Sequence, residues 1–235
     1  MRKQLPIATA AVAVALIAAS PQPALAASWR YVASWDMNES PGARYMVDAT
    51  GNGHRGTIGT EVLLGTRVNG ATGYRFPRRE PDTPPPVPGH LVTVPDSSAL
   101  DPGTRDYAVV FRFRTTGKFG NVIQKGQATV AGGNYKVQIP SGIVQCYYRG
   151  SSGSILVSAP RKLNDGAWHT IRCERTQKGV YLYADGSLVA SRKGPTGRIS
   201  NSWPITIGGK PDCDQIKVGC DYYNGDLDWA DIAAA

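Results

Sequence analysis

Asn164-Asp-Gly-Ala-Trp-His-Thr-Ile-Arg-Cys-Glu-Arg175, followed by Gly179-Val-Tyr-Leu-Tyr-Ala-Asp-Gly186, decides how this chain folds. Asn164-Asp-Gly166 is turn chemistry, because Asn and Asp bond their own backbone and Gly accepts a positive φ. Trp168 to Arg175 and Val180 to Ala184 are rich in β-branched and aromatic residues, which suit a pleated, half-buried surface. Asp185-Gly186 separates Val180-Tyr-Leu-Tyr from Leu188-Val-Ala, a strong signal for a tight hairpin. Strand, turn, strand, turn, strand with no helix between them predicts an antiparallel meander.

The same pattern extends outward. Trp29 to Trp35, Tyr107 to Phe113, Tyr135 to Ile139, Ile143 to Tyr148, Ile155 to Ser158 and Leu188 to Arg192 all read as strands. Pro140-Ser-Gly142 and Lys178-Gly179 supply further turns. No segment of ten or more residues has helical apolar spacing. The chain has 235 residues, with 27 Gly, 17 Pro and only 19 % charged residues. That composition excludes a coiled coil, and the 41 % hydrophobic share excludes wholesale disorder. Many short strands without helices predict an all-β, antiparallel two-sheet jelly-roll sandwich, with the first strands returning to pair against the last. Residues 80–89 (Glu-Pro-Asp-Thr-Pro-Pro-Pro-Val-Pro-Gly) are a surface connection, since proline offers no ladder donor.

The beginning reads differently. Arg2 and Lys3 precede an apolar run from Ile7 to Ala19, and Ala24-Leu25-Ala26 has the small-x-small pattern of a cleavage site. Residues 1–26 are therefore expected to be a secretory signal peptide, with one domain over 27–235 and an extracellular location. No later stretch is long and apolar enough to span a bilayer. The four cysteines, Cys146, Cys173, Cys213 and Cys220, fit an oxidising compartment and two disulfides. Three connectivities are open. The favoured one is Cys146–Cys173, joining two strands of one sheet region, with Cys213–Cys220 closing a short loop. The absence of a C-x-x-C pair and the scatter of His54, His90 and His169 argue against zinc.

The quoted stretch resembles the D-G-x-W-H and L-Y-x-D-G segments of laminin G-like domains in the concanavalin A-like lectin and glucanase superfamily. Tyr107 to Thr115, Ile205-Thr-Ile-Gly-Gly209 and Tyr223-Asn-Gly-Asp-Leu-Asp-Trp-Ala-Asp-Ile232 are similar to other strands of such domains. Trp35-Asp36 and Asp48-Ala-Thr-Gly-Asn-Gly53 are similar to the opening of secreted bacterial members. The resemblance spans about residues 30–233 and implies a jelly roll. Within it, Trp168 is expected to face the core, with His169 on the opposite side, exposed or locally bonded.

The resemblance also implies possible calcium support, with Asp36, Asp48, Asn52 and Asp228 as the oxygen ligands that a hard cation requires. Tyr147, Tyr148, Trp203, Tyr222 and Tyr223 are candidate stacking platforms for sugar rings, and Asp212-Cys-Asp214 and Asp221-Tyr-Tyr223 could rim a ligand site. Basic clusters at Arg75 to Arg79 and Arg172 to Lys178, with Arg192 and Lys193, accompany a net charge of +8. They suit an acidic polysaccharide better than nucleic acid, for which no motif is present. No E-x-D-x-x-E strand, Q-I-H strand, G-x-S-x-G or H-E-x-x-H occurs, so no catalytic residue is assigned. The expectation is a secreted, non-catalytic carbohydrate-binding module. A glycoside hydrolase or lyase on the same fold and a protein-binding adhesion domain are the alternatives. The oligomeric state is open.

Overall fold

The structure, a computed structural model, describes residues 29–68, 71–80, 82–213 and 219–235. The signal-peptide expectation for residues 1–26 lies outside the described residues, as does Asp214 of the expected rim. No helix among the described residues is long and apolar enough to cross a membrane.

Two eight-stranded sheets pack face to face. One, sheet A, runs in the order β14 (Ser187–Lys193), β13 (Gly179–Ala184), β12 (His169–Thr176), β7 (Tyr107–Arg114), β16 (Gly225–Ala234), β5 (Ala71–Phe76) and β4 (Leu63–Val68). Strand β1 (Arg30–Trp35) also pairs with β16, placing Arg30 opposite Ala234. The chain's opening strand thus closes against its last, as the sequence predicts. Sheet B runs β11 (Gly153–Ser158), β10 (Gln145–Gly150), β9 (Asn134–Gln138), β8 (Asn121–Lys125), β15 (Ile205–Ile207), β6 (Val92–Val94), β3 (Gly56–Ile58) and β2 (Tyr45–Met46). All pairings are antiparallel.

Alternation decides what enters the core. Val109, Phe111 and Phe113 of β7, Ile171 of β12, and Tyr135 and Val137 of β9 all point between the sheets and are buried. The β13–β14 hairpin turns on Asp185 (φ 50) and Gly186 (φ 80), the paired positive φ values that a type I′ turn demands. Buried tyrosines satisfy their hydroxyls internally: Tyr107 donates to Leu100 O at 2.8 Å and meets the Tyr135 hydroxyl at 3.0 Å. Both expected disulfides are present. Cys146–Cys173 corrects one expectation, because it ties β10 of sheet B to β12 of sheet A rather than two strands of one sheet. Both positions face inward, so the bridge crosses the core.

The parity of β12 is also a correction. His169 is buried, its ring against Phe113, and it bonds Asp185 at 2.8 Å and Asp165 at 3.0 Å. Trp168 lies on the outer face, with the Arg112 and Arg114 guanidinium groups 5.0 and 4.9 Å from its ring. The aromatic bulk of Trp168 suggests a core anchor, but the register of Ile171 and Cys173 assigns the odd-numbered residues inward.

Candidate functional site

The outer face of sheet B carries a groove of about 220 Å³. Strand register builds its floor. Leu156, Tyr147, Lys136 and Gln124 stand directly opposite one another on β11, β10, β9 and β8. The same row continues through Thr206, Thr93 and Thr57. Asn134 and Gln138 flank Lys136 two residues away on its own strand, and all six of these β8–β11 side chains line the groove. Lys210, Asp212 and Cys213 close one end. The second disulfide therefore does stand at the rim of this groove, beside Asp212.

Most polar groups here already have partners. Gln138 Nε2 donates to Gln145 Oε1 at 2.7 Å, and Gln145 Nε2 donates to Ser158 Oγ at 3.0 Å. Arg149 Nε donates to Asn134 Oδ1 at 2.9 Å. Lys210 Nζ pairs with Asp221 at 2.6 Å and donates to Gly219 O at 2.9 Å. Burial holds the Lys136 ammonium below its ordinary pKa; the Asp221 charge opposes that shift and Lys210 adds to it. Tyr147 offers a ring face and a hydroxyl, with Lys136 Nζ 5.9 Å from the ring centroid. Asp212 is the sole carboxylate among the described lining residues.

The expected sugar platforms divide accordingly. Tyr147 lines the groove, while Tyr148, its neighbour, points into the core and donates to Cys173 O at 2.9 Å. Adjacent strand residues face opposite sides, so one of the two had to be internal. Tyr223 is buried in the main core, its hydroxyl bonded to Arg114 O and Asp226 O. Tyr222 is buried against Leu91, Cys213 and Cys220, where its hydroxyl accepts from Val87 N at 2.7 Å. Trp203 is half-buried outside the groove, its backbone N–H donating to Asn201 Oδ1. The sequence alone does not single out Gln124, Lys136, Gln138 and Leu156, although the alternation in Tyr135-Lys-Val-Gln-Ile139 puts Lys136 and Gln138 on one face.

The calcium set does not fit together. Asp48 accepts from Ser34 N, Thr50 N, Thr50 Oγ1 and His54 N. Burial pushes its carboxyl pKa up, but these hydrogen bonds outweigh it and leave the group below the ordinary range. Asn52 Nδ2 donates to Val32 O, and Asp228 holds Arg112 at 2.5 Å. Asp36 is exposed. Among the described residues, no three His, Cys, Asp or Glu side chains gather to hold a metal ion. An oxygen cluster does exist elsewhere, filled by a cation of the chain itself. Lys125 Nζ is fully buried, 2.7 Å from Asp96, 2.9 Å from Asp101 and 2.6 Å from Asn201 O.

The expected basic clusters divide: Lys178, Arg192 and Lys193 are exposed and without an ion pair among the described residues, while the arginines of the other positions are paired or internal. Arg75 binds Asp226, Arg78 binds Glu80, Arg79 binds Glu61 and Arg172 binds Glu174. Arg175 is buried and donates to Thr196 Oγ1 and to the carbonyls of Gly103 and Arg105.

Comparison with known proteins agrees with this architecture. Residues 89–233 match a laminin G-type family model described as concanavalin A-like lectin/glucanases superfamily. The mouse (Mus musculus) laminin subunit alpha-1 is 30 % identical over 121 residues, covering 49 % of this chain and 4 % of its own length. The chain thus spans a small fraction of that relative. Domain 4 of AbnA, an extracellular arabinanase of Geobacillus stearothermophilus solved with arabinotriose, superposes with a TM-score of 0.59 at 12 % identity. That match covers 88 % of this chain and 93 % of the domain. The binding domain of Paraclostridial Mosquitocidal Protein 1 gives a TM-score of 0.60 at 13 % identity, over 87 % of this chain and 47 % of the other.

Proposed function

The chain belongs to the concanavalin A-like lectin/glucanases superfamily, and from that premise we propose that it is a secreted, non-catalytic module that binds a polysaccharide in the groove of sheet B. The observation that carries the reading is the placement of the Tyr147 ring among amides on a rigid sheet floor. A sugar presents an apolar C–H face to an aromatic ring and hydroxyls to flanking polar groups, and this floor offers both. The single described carboxylate of the groove supports binding over glycoside hydrolysis, which ordinarily uses a pair. The sandwich neighbour solved with arabinotriose supports the substrate class at the level of fold. The two disulfides and the leader-like opening sequence support secretion.

The test is a glycan array probed with the protein and its Tyr147→Ala variant, followed by calorimetry on any hit. Losing one stacking face is expected to weaken binding about tenfold or more, with the melting temperature nearly unchanged because Tyr147 lies outside the core. Undiminished binding by Tyr147→Ala would move the site elsewhere.

A further inference from the structure

We propose that the groove takes a carboxylate-bearing sugar, whose carboxylate is held by Lys136 and the Tyr147 hydroxyl. This rests on the reading of the groove as a glycan site.

Lys136 stands among uncharged neighbours. Its cross-strand neighbours on the groove face are Gln124 and Tyr147, and its same-strand neighbours are Asn134 and Gln138. All four are uncharged. Among the described residues, no hydrogen-bond or ion-pair partner meets Lys136 Nζ, whereas Lys210, at the end of the same groove, is fully engaged by Asp221 and Gly219. The contact between Lys136 and the Tyr147 ring, at 5.9 Å, lies at the outer limit of a cation–π interaction and leaves the ammonium donors available. Lys136 is half-buried, so its charge is partly stripped of water; Asp221 acts on it from a distance, and among the described residues no anion is in hydrogen-bond contact with it.

The flanking amides are partly engaged. Gln138 is tied to Gln145, and Asn134 to Arg149. The Lys136 ammonium and the Tyr147 hydroxyl stand on adjacent strands at the same register, and the Asp212 carboxylate lines the groove beside Lys210. Two donors from one side match the two oxygens of a carboxylate, and such charge-assisted bonds are the strong ones. The basic residues that attract attention in the sequence, Arg75, Arg78, Arg79 and Arg172, carry their own carboxylates. Lys136 is the cation of the groove that has no ion-pair partner among the described residues, whereas Lys210 is paired.

The experiment measures calorimetric affinity for a trigalacturonate, for its methyl ester and for neutral arabinotriose, using wild type and Lys136→Met. Wild type is expected to bind the acid about tenfold or more tightly than the ester, with the preference shrinking as salt rises. Lys136→Met is expected to bind acid and ester alike and to melt no lower than wild type, since it removes a desolvated, unpaired charge. Equal binding of acid and ester by wild type would overturn the carboxylate assignment while leaving the glycan groove standing. A preference for the acid that survives in Lys136→Met would overturn the role of Lys136. A glycan array and calorimetry without any wild-type binding would overturn the groove reading and this inference with it.

Discussion

Cys146 and Cys173, with Cα atoms 5.6 Å apart, bond the two sheets to each other through the middle of the sandwich. The bridge closes a segment of 27 residues. That segment holds strand β11 and the loop that carries the chain from one sheet to the other. On the chain-entropy account, closing such a loop in the unfolded state contributes about 3–4 kcal/mol. Urea denaturation of the Cys146→Ala/Cys173→Ala double variant is expected to show a loss of that order. A loss below about 1 kcal/mol would mean that the unfolded chain is already constrained there.

Asp231 gives the fold an acid-side dependence of unusual sign. Burial pushes its carboxyl up, the Ser34 hydroxyl that donates to it at 2.6 Å pulls it down, and the nearby Asp36 charge raises it again, to about 6 in all. A carboxyl raised in the folded state binds its proton more tightly there than in the unfolded chain. Its contribution is therefore present below pH 4 and is lost as pH rises from about 4 through about 6. The loss is on the order of 2 kcal/mol. Denaturant melts of wild type and Asp231→Asn between pH 4 and 7 are expected to diverge by that amount, with the Asn variant flatter. Parallel curves would show that Asp231 titrates normally.

What the sequence made legible follows from what repeats in it. Strand alternation and turn residues place the β13–β14 hairpin at Asp185-Gly186 and return the first strands against the last, where the structure sets Arg30 opposite Ala234. The even count of cysteines predicts two disulfides, and the favoured of three open connectivities is the one present. The site was harder to see because residue type does not reveal facing. Tyr147 and Tyr148 are chemically identical, and only the inward register of Cys146 decides that Tyr148 is core. Tyr222 and Tyr223 looked like surface platforms because the loop around them is polar, yet the proline-rich segment at Val87 folds over Tyr222. The groove floor is assembled from four strands whose order, β11-β10-β9-β8, a single sequence does not state. Lys136 was legible only as an outward residue of β9, and its lack of a partner is a property of the neighbours.

The Asp48 carboxylate organises a turn, which separates it experimentally from a calcium ligand. Four donors from Ser34, Thr50 and His54 occupy its two oxygens. Asp48→Ala would strand those backbone N–H groups and is expected to cost on the order of 2 kcal/mol, equally in calcium and in chelator. The wild-type melting temperature is expected to be the same in millimolar calcium and in chelator. A rise in calcium that Asp48→Ala abolishes would restore Asp48 as a metal ligand.

Lys125 places a buried ammonium among the oxygens of two loops. Its ammonium joins Asp96 and Asp101 to the carbonyl of Asn201, tying β8 to two connections distant in sequence. The side chain is fully buried, and Asp101 is nearly so. Removing one partner from a buried ion pair leaves the other charge uncompensated, at a cost of about 3–5 kcal/mol. Lys125→Met is therefore expected to lower stability by that amount, far more than the loss of an exposed pair such as Arg78–Glu80, whose side chains are 74 % and 61 % exposed. Replacing Asp101 by Asn in the same background removes the stranded charge and is expected to recover part of the loss. Additive destabilisation in the double variant, measured by urea melts, would show that Lys125 and Asp101 do not act as a pair.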